Sequence, residues 1–135
     1  MGRENTIASR NHKAAKEAET LLWRALCDDM EDAKEYIAAD CVMMNPLLSD
    51  ETLGGSGDDA TPVHKALDRA QPLQNYKMGK DLKTVEIDMM AMQVLYHGDF
   101  TTADGRAVSA ACASTWRQTA GGDWRLCAMM VAPEV

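Results

Sequence analysis

Apolar residues recur along this chain with two different periods, and the change from one to the other comes near residue 74. From about Asn11 to Cys27 they fall at Ala14, Ala18, Leu21, Leu22, Ala25 and Leu26. That three-to-four spacing predicts a helix, with Lys13, Lys16, Glu17 and Arg24 on its other faces. Asp28 and Asp29 break the pattern and cap a second helix over about 30–38, with Met30, Ala33 and Ile37 buried. Glu31 and Asp32 occupy its first turn, where the helix dipole favours acids. Cys41 to Asn45 reads as a short strand stopped by Pro46. Residues 47–60 are acidic and glycine-rich, a loop pattern. Thr61 as N-cap and Pro62 at the first helical position then open a third helix, with Val63, Ala66, Leu67 and Ala70 inward. This helix ends before Pro72.

Beyond residue 74 the period is two. Strands are predicted near 74–78, 82–88, 91–101, 106–118 and 123–132, with turns at Asp104-Gly105 and Ala120-Gly121-Gly122. In 106–118, Val108, Ala110, Cys112, Ser114 and Trp116 share one face. The other carries Ala107, Ser109, Ala111, Ala113, Thr115 and Arg117. Both faces are apolar enough to need cover, one from the helices and one from a second subunit. The order of elements predicts an α+β fold: a curved antiparallel sheet wrapped around three helices from the N-terminal half, a cone with an internal cavity. Residues 1–135 are expected to form one such domain, with 1–10 frayed.

Composition narrows the function classes. The 135 residues carry a net charge of −7, which argues against nucleic acid or an anionic membrane as partner. No apolar run approaches the roughly 18–20 residues of a membrane span, and the N-terminus has no apolar leader. The four cysteines at 27, 41, 112 and 127 are then expected as reduced, buried thiols in a cytoplasmic protein. The three histidines are scattered and there is no C-x-x-C, so no metal site or cofactor is expected.

Two segments carry a likeness. DDMEDAKEYIAADCVMMNP (28–46) resembles the helix–strand entry of nuclear-transport-factor-like proteins. ASTWRQTAGGDWRLCAMMVAP (113–133) resembles the closing hairpin of the SnoaL-like and ketosteroid-isomerase-like branches. The resemblance implies the cone fold, a cavity and a homodimer joined through the sheet. It also implies places for three isomerase groups. The carboxylate base before the strand-ending proline falls on Asn45, the tyrosine donor of the first helix on Leu21, and the protonated aspartate on Ser114, two residues before Trp116. None of the three side chains has the chemistry its role needs.

The resulting expectation is a cavity lined by Leu21, Met43, Asn45, Tyr96, Cys112, Ser114, Trp116 and Met130, with no carboxylate at its floor. Seven of the ten methionines cluster at 43–44, 89–92 and 129–130, which suits a small, mostly apolar ligand. The expected function is therefore that of a small-molecule-binding, SnoaL-like domain without the usual isomerase residues, forming homodimers. One alternative is an isomerase, dehydratase or cyclase using His64 or Asp40 as acid–base group with Tyr96 as donor. Another is a dimerisation module whose cavity has collapsed.

Overall fold

The computed structural model describes residues 6–134. Helix α1 (Ile7–Leu26) begins earlier than its apolar pattern suggests, because Thr6 caps it: the Thr6 hydroxyl accepts from the Ser9 amide at 3.1 Å. Thr6 to Arg10 are therefore part of an ordered helix start, and the rest of the segment expected to fray lies outside the described residues. Asp29 caps the shorter α2 (Met30–Lys34), accepting from the Glu31 amide at 2.9 Å. Lys34 then bridges Glu31 at 2.7 Å and Asp68, tying α2 to the end of α3 (Val63–Leu67). The residue at the cap of α3 is Pro62, which has no side-chain acceptor, rather than Thr61.

Seven strands form one sheet. They are β1 (Ile37–Met44), β2 (Leu53–Gly54), β3 (Asn75–Met78), β4 (Lys83–Asp88), β5 (Ala91–Thr101), β6 (Ala107–Gln118) and β7 (Trp124–Pro133). Their order is β2-β1-β7-β6-β5-β3, and β4 pairs with the same strand β5. All pairings are antiparallel except β1 with β7. Strand β1 starts where a longer α2 was expected: Tyr36, just before it, accepts a bond from the Leu126 amide at 2.8 Å, so the sheet claims this stretch. Strand β2 was not legible in the acidic loop. Its Gly54 sits at φ +80°, and a Cβ there would lie 1.7 Å from the Cys41 carbonyl oxygen. Only glycine lets the loop fold back onto β1 that closely.

The sheet is curved and open, and the helices cover its inner face. Leu22, Trp23 and Leu26 of α1 pack there against Met43, Met92 and Trp116, all with no exposed surface. Alternation sorts the neighbouring methionines onto opposite faces: Met43 and Met129 are buried, whereas Met44 and Met130 are each 49% exposed.

Candidate functional site

The inner face holds one ionisable group that the pattern reading missed. Glu19 on α1 is 0% exposed. Four side chains donate to its carboxylate. Trp23 Nε1 (3.1 Å), Ser114 Oγ (2.8 Å) and the Tyr96 hydroxyl reach Oε2; Trp116 Nε1 (2.8 Å) reaches Oε1. Trp23 Nε1 also donates to the Tyr96 oxygen. The expectation of a floor without a carboxylate is therefore overturned.

The local geometry follows from the elements. Glu19 lies one helical turn from Ala15, Leu22 and Trp23, in the middle of the buried stripe of α1. Ser114 and Trp116 alternate inward on β6, and Tyr96 inward on β5, where it faces Cys112 across the ladder. Burial raises the Glu19 carboxyl above the ordinary carboxylate range; the bonds from Tyr96, Trp116, Ser114 and Trp23 oppose that rise. Burial, then the neighbouring Glu19, pushes the Tyr96 phenol far above its usual value, and the same two causes lift the Cys112 thiol to about 12. Among the described residues no buried side-chain nitrogen or oxygen is left without a hydrogen-bond partner. A carboxyl with a raised pKa beside a phenol is a workable acid–base pair in an open site. Here both oxygens are occupied by protein donors and solvent does not reach them.

The structure thus gathers Tyr96, Ser114 and Trp116 from the predicted lining, but around a side chain instead of a ligand. Cys112 and Met43 are buried beside them in the core. Asn45 is buried with its amide in use: Oδ1 accepts from the Leu47 amide at 3.1 Å and Nδ2 approaches the Met129 sulfur at 3.5 Å. Leu21 is half-buried and outside the apolar core; the inward polar position of the helix is Glu19, two residues earlier. Met130 lies on the wrong face. It pairs with outward Ala113, which leaves Met129, opposite Ser114, pointing inward.

Neither proposed acid–base residue reaches the interior. His64 spends Nε2 on the Ile37 carbonyl at 2.7 Å, clipping α3 to β1. Asp40 is exposed and pairs with Arg117 at 3.7 Å. Among the described residues no three His, Cys, Asp or Glu side chains are grouped so as to hold a metal ion.

Sequence did contain a signal for Glu19. An indole N–H can only donate, so inward-facing tryptophans require an acceptor. Glu19 is four residues after Ala15 and three before Leu22, a charged interruption in the stretch of the stripe from Ala15 to Leu26 that is otherwise apolar.

The outer face of the sheet has its own organisation. Cross-strand partners share a face, so the register lays out rows. One row runs Lys83, Leu95, Ala113, Met130, Met44 across β4, β5, β6, β7 and β1. The next runs Val85, Gln93, Thr115, Ala128, Val42 across the same strands. A third runs His97, Ala111, Ala132. Leu95, Ala113, Met130 and Ala132 line a cleft of about 520 Å³, with Asp81 and Lys83 at its rim. His97 is held at that rim: its Nδ1 lies 2.6 Å from Asp81, its amide donates to the same carboxylate at 3.0 Å, and Nε2 lies 3.4 Å from Glu134. Asp81 raises the His97 imidazole above its usual range.

No family model matches the chain, and no curated protein matches it in sequence. Solved structures do. One is an NTF2-like protein of unknown function in nutrient uptake from Rhodospirillum rubrum, at 14% identity and TM-score 0.71, over 89% of this chain and 98% of that one. A second is a Caulobacter vibrioides protein with a cystatin-like fold, at 13% identity and TM-score 0.66, over 91% and 89%. A third is the association domain of CaMKII from C. elegans, at 16% identity and TM-score 0.58, over 90% and 98%.

Proposed function

We infer function from this chain's own two faces, because its α+β cone is like NTF2-like and cystatin-like structures and at these identities the likeness extends to fold alone. From its two faces we propose that it is a self-association module in which two copies pair through the outer face of the sheet while the interior serves as a structural core. The observation that carries this reading is the pair of outer rows. Leu95 (36% exposed), Val42 (39%), Val85 (44%), Met44 and Met130 (both 49%) stand with small alanines on one sheet face that, among the described residues, no helix or further strand covers. Isolated exposed apolar residues are ordinary, but a contiguous patch in register marks an interface. The sealed state of Glu19 supports the same reading, because a substrate would have to displace four donors to reach it. Similarity to an association domain is compatible with it. The four unpaired thiols fit a reducing, cytoplasmic setting.

Sedimentation velocity of the wild type and of Ala113→Arg tests the proposal. Ala113 sits at the centre of the first row, half-buried by its neighbours, with its side chain directed outward. A wild-type dimer and a folded, monomeric variant are expected. A wild type that stays monomeric up to its solubility limit overturns the reading. The 520 Å³ cleft supports a second reading, since small-ligand sites fall in roughly the 300–1,000 Å³ range. In that case native mass spectrometry would show one small apolar molecule retained per chain, absent in Ala113→Arg.

A further inference from the structure

The two ends of the first outer row carry opposite charge. At the β4 end stand Lys83 and, in the turn before it, Lys80; both are exposed and neither pairs with a carboxylate among the described residues. The nearby carboxylate, Asp81, is committed twice to His97. At the β1 end, Asp50 and Glu51 overhang Met44, Met130 and Ala132, lining a second cleft of about 200 Å³ on the same face. Both acids are exposed and neither has an ion-pair partner among the described residues.

Two identical faces can meet about a two-fold axis lying in the plane between them. An axis running across the strands sets each edge against the same edge of the other copy, so lysine would face lysine and acid would face acid. An axis along the strands sets each edge against the opposite one. Accepting the self-association reading as its premise, we propose that Lys80 and Lys83 of one copy pair with Asp50 and Glu51 of the second copy, and that this charge match selects the along-strand axis. The apolar rows supply attraction without direction, since leucine, methionine and alanine pack in many registers. Rim charges supply the orientation, because like-charge juxtaposition penalises the competing arrangement. The two-fold axis makes the contact twice, so two clusters fix one geometry.

The test uses two charge-reversed variants of the full chain, K80E/K83E and D50K/E51K. Each variant alone is expected to dimerise roughly tenfold or more weakly than wild type, because its own edges now repel. In an equimolar mixture the all-acidic edges of one meet the all-basic edges of the other. Native mass spectrometry should then show the heterodimer far above either homodimer, and added salt should erode that preference. If both variants pair as wild type does, or if the mixture shows no preference, the proposed orientation is wrong while self-association stands. A monomeric wild type removes both. Far-ultraviolet circular dichroism checks that both variants are folded, and recovery in the mixture excludes a folding defect as the cause of weakened pairing.

Discussion

Replacing Glu19 by glutamine probes the buried network with almost no change in shape. If the glutamine oxygen stays toward Trp23, Tyr96 and Ser114, its NH2 group takes the place of Oε1 and points at Trp116 Nε1. Two donors then face each other, because an indole N–H cannot accept. Leaving one buried donor unsatisfied costs about 1–3 kcal/mol, so a loss of about 2 kcal/mol is expected at pH 5. For 135 residues this corresponds to roughly 7 °C in Tm. The pH dependence is specific to this site. Burial raises the folded-state Glu19 pKa above the ordinary value of 4.5, so the native state binds the proton more tightly than the unfolded chain does. Stability from this group is therefore fully present below 4.5 and falls as pH rises from there through the folded value. Glutamine does not titrate, so the gap between wild type and E19Q should narrow from pH 5 to pH 8. Other carboxylates are common to both proteins and cancel in the comparison. Paired thermal and urea unfolding at the two pH values measures it. An E19Q variant as stable as wild type at pH 5, or a gap independent of pH, would refute the argument.

Two further measurements probe other parts of the structure. In an NMR titration His97 should lose its proton above the ordinary histidine range, since Asp81 holds the charged form. Asp81→Asn should bring the midpoint down, and an unmoved midpoint would show that the pair does not form in solution. The stabilisation from that pair is present below the ordinary value of 6.5 and disappears as pH rises through the folded one. The Cys41 and Cys112 thiols, pushed to about 12 chiefly by burial, should be about one part in ten thousand thiolate at pH 8. Both should resist alkylation until the protein unfolds, and rapid native labelling of either, read by mass spectrometry, would contradict their placement.

Much of the fold was legible because it depends on local periodicity. The strands predicted at 91–101 and 106–118 appear as Ala91–Thr101 and Ala107–Gln118, and alternation placed Tyr96, Ser114 and Trp116 inward. Strand period is two, so one inward residue settles the direction of every neighbour until a bulge intervenes. Such a shift lies between Thr115 and Trp116 opposite β7, and beyond it Met129, opposite Ser114, points inward while Met130 points outward.

Apart from β2 and the boundary between α2 and β1, the elements, their order, and the division of the sheet into two apolar faces were thus set by the sequence alone, since each depends on residues a few positions apart. Glu19 depended on something else. Its donors Tyr96, Ser114 and Trp116 stand 77, 95 and 97 residues away, and only the wrapping of β5 and β6 around α1 brings them within hydrogen-bond reach. A carboxyl on a helix is ordinarily read as solvated, because burial without partners is prohibitively costly. Only the tertiary structure could assemble those partners, and with them decide that this helix turns an acid toward the core.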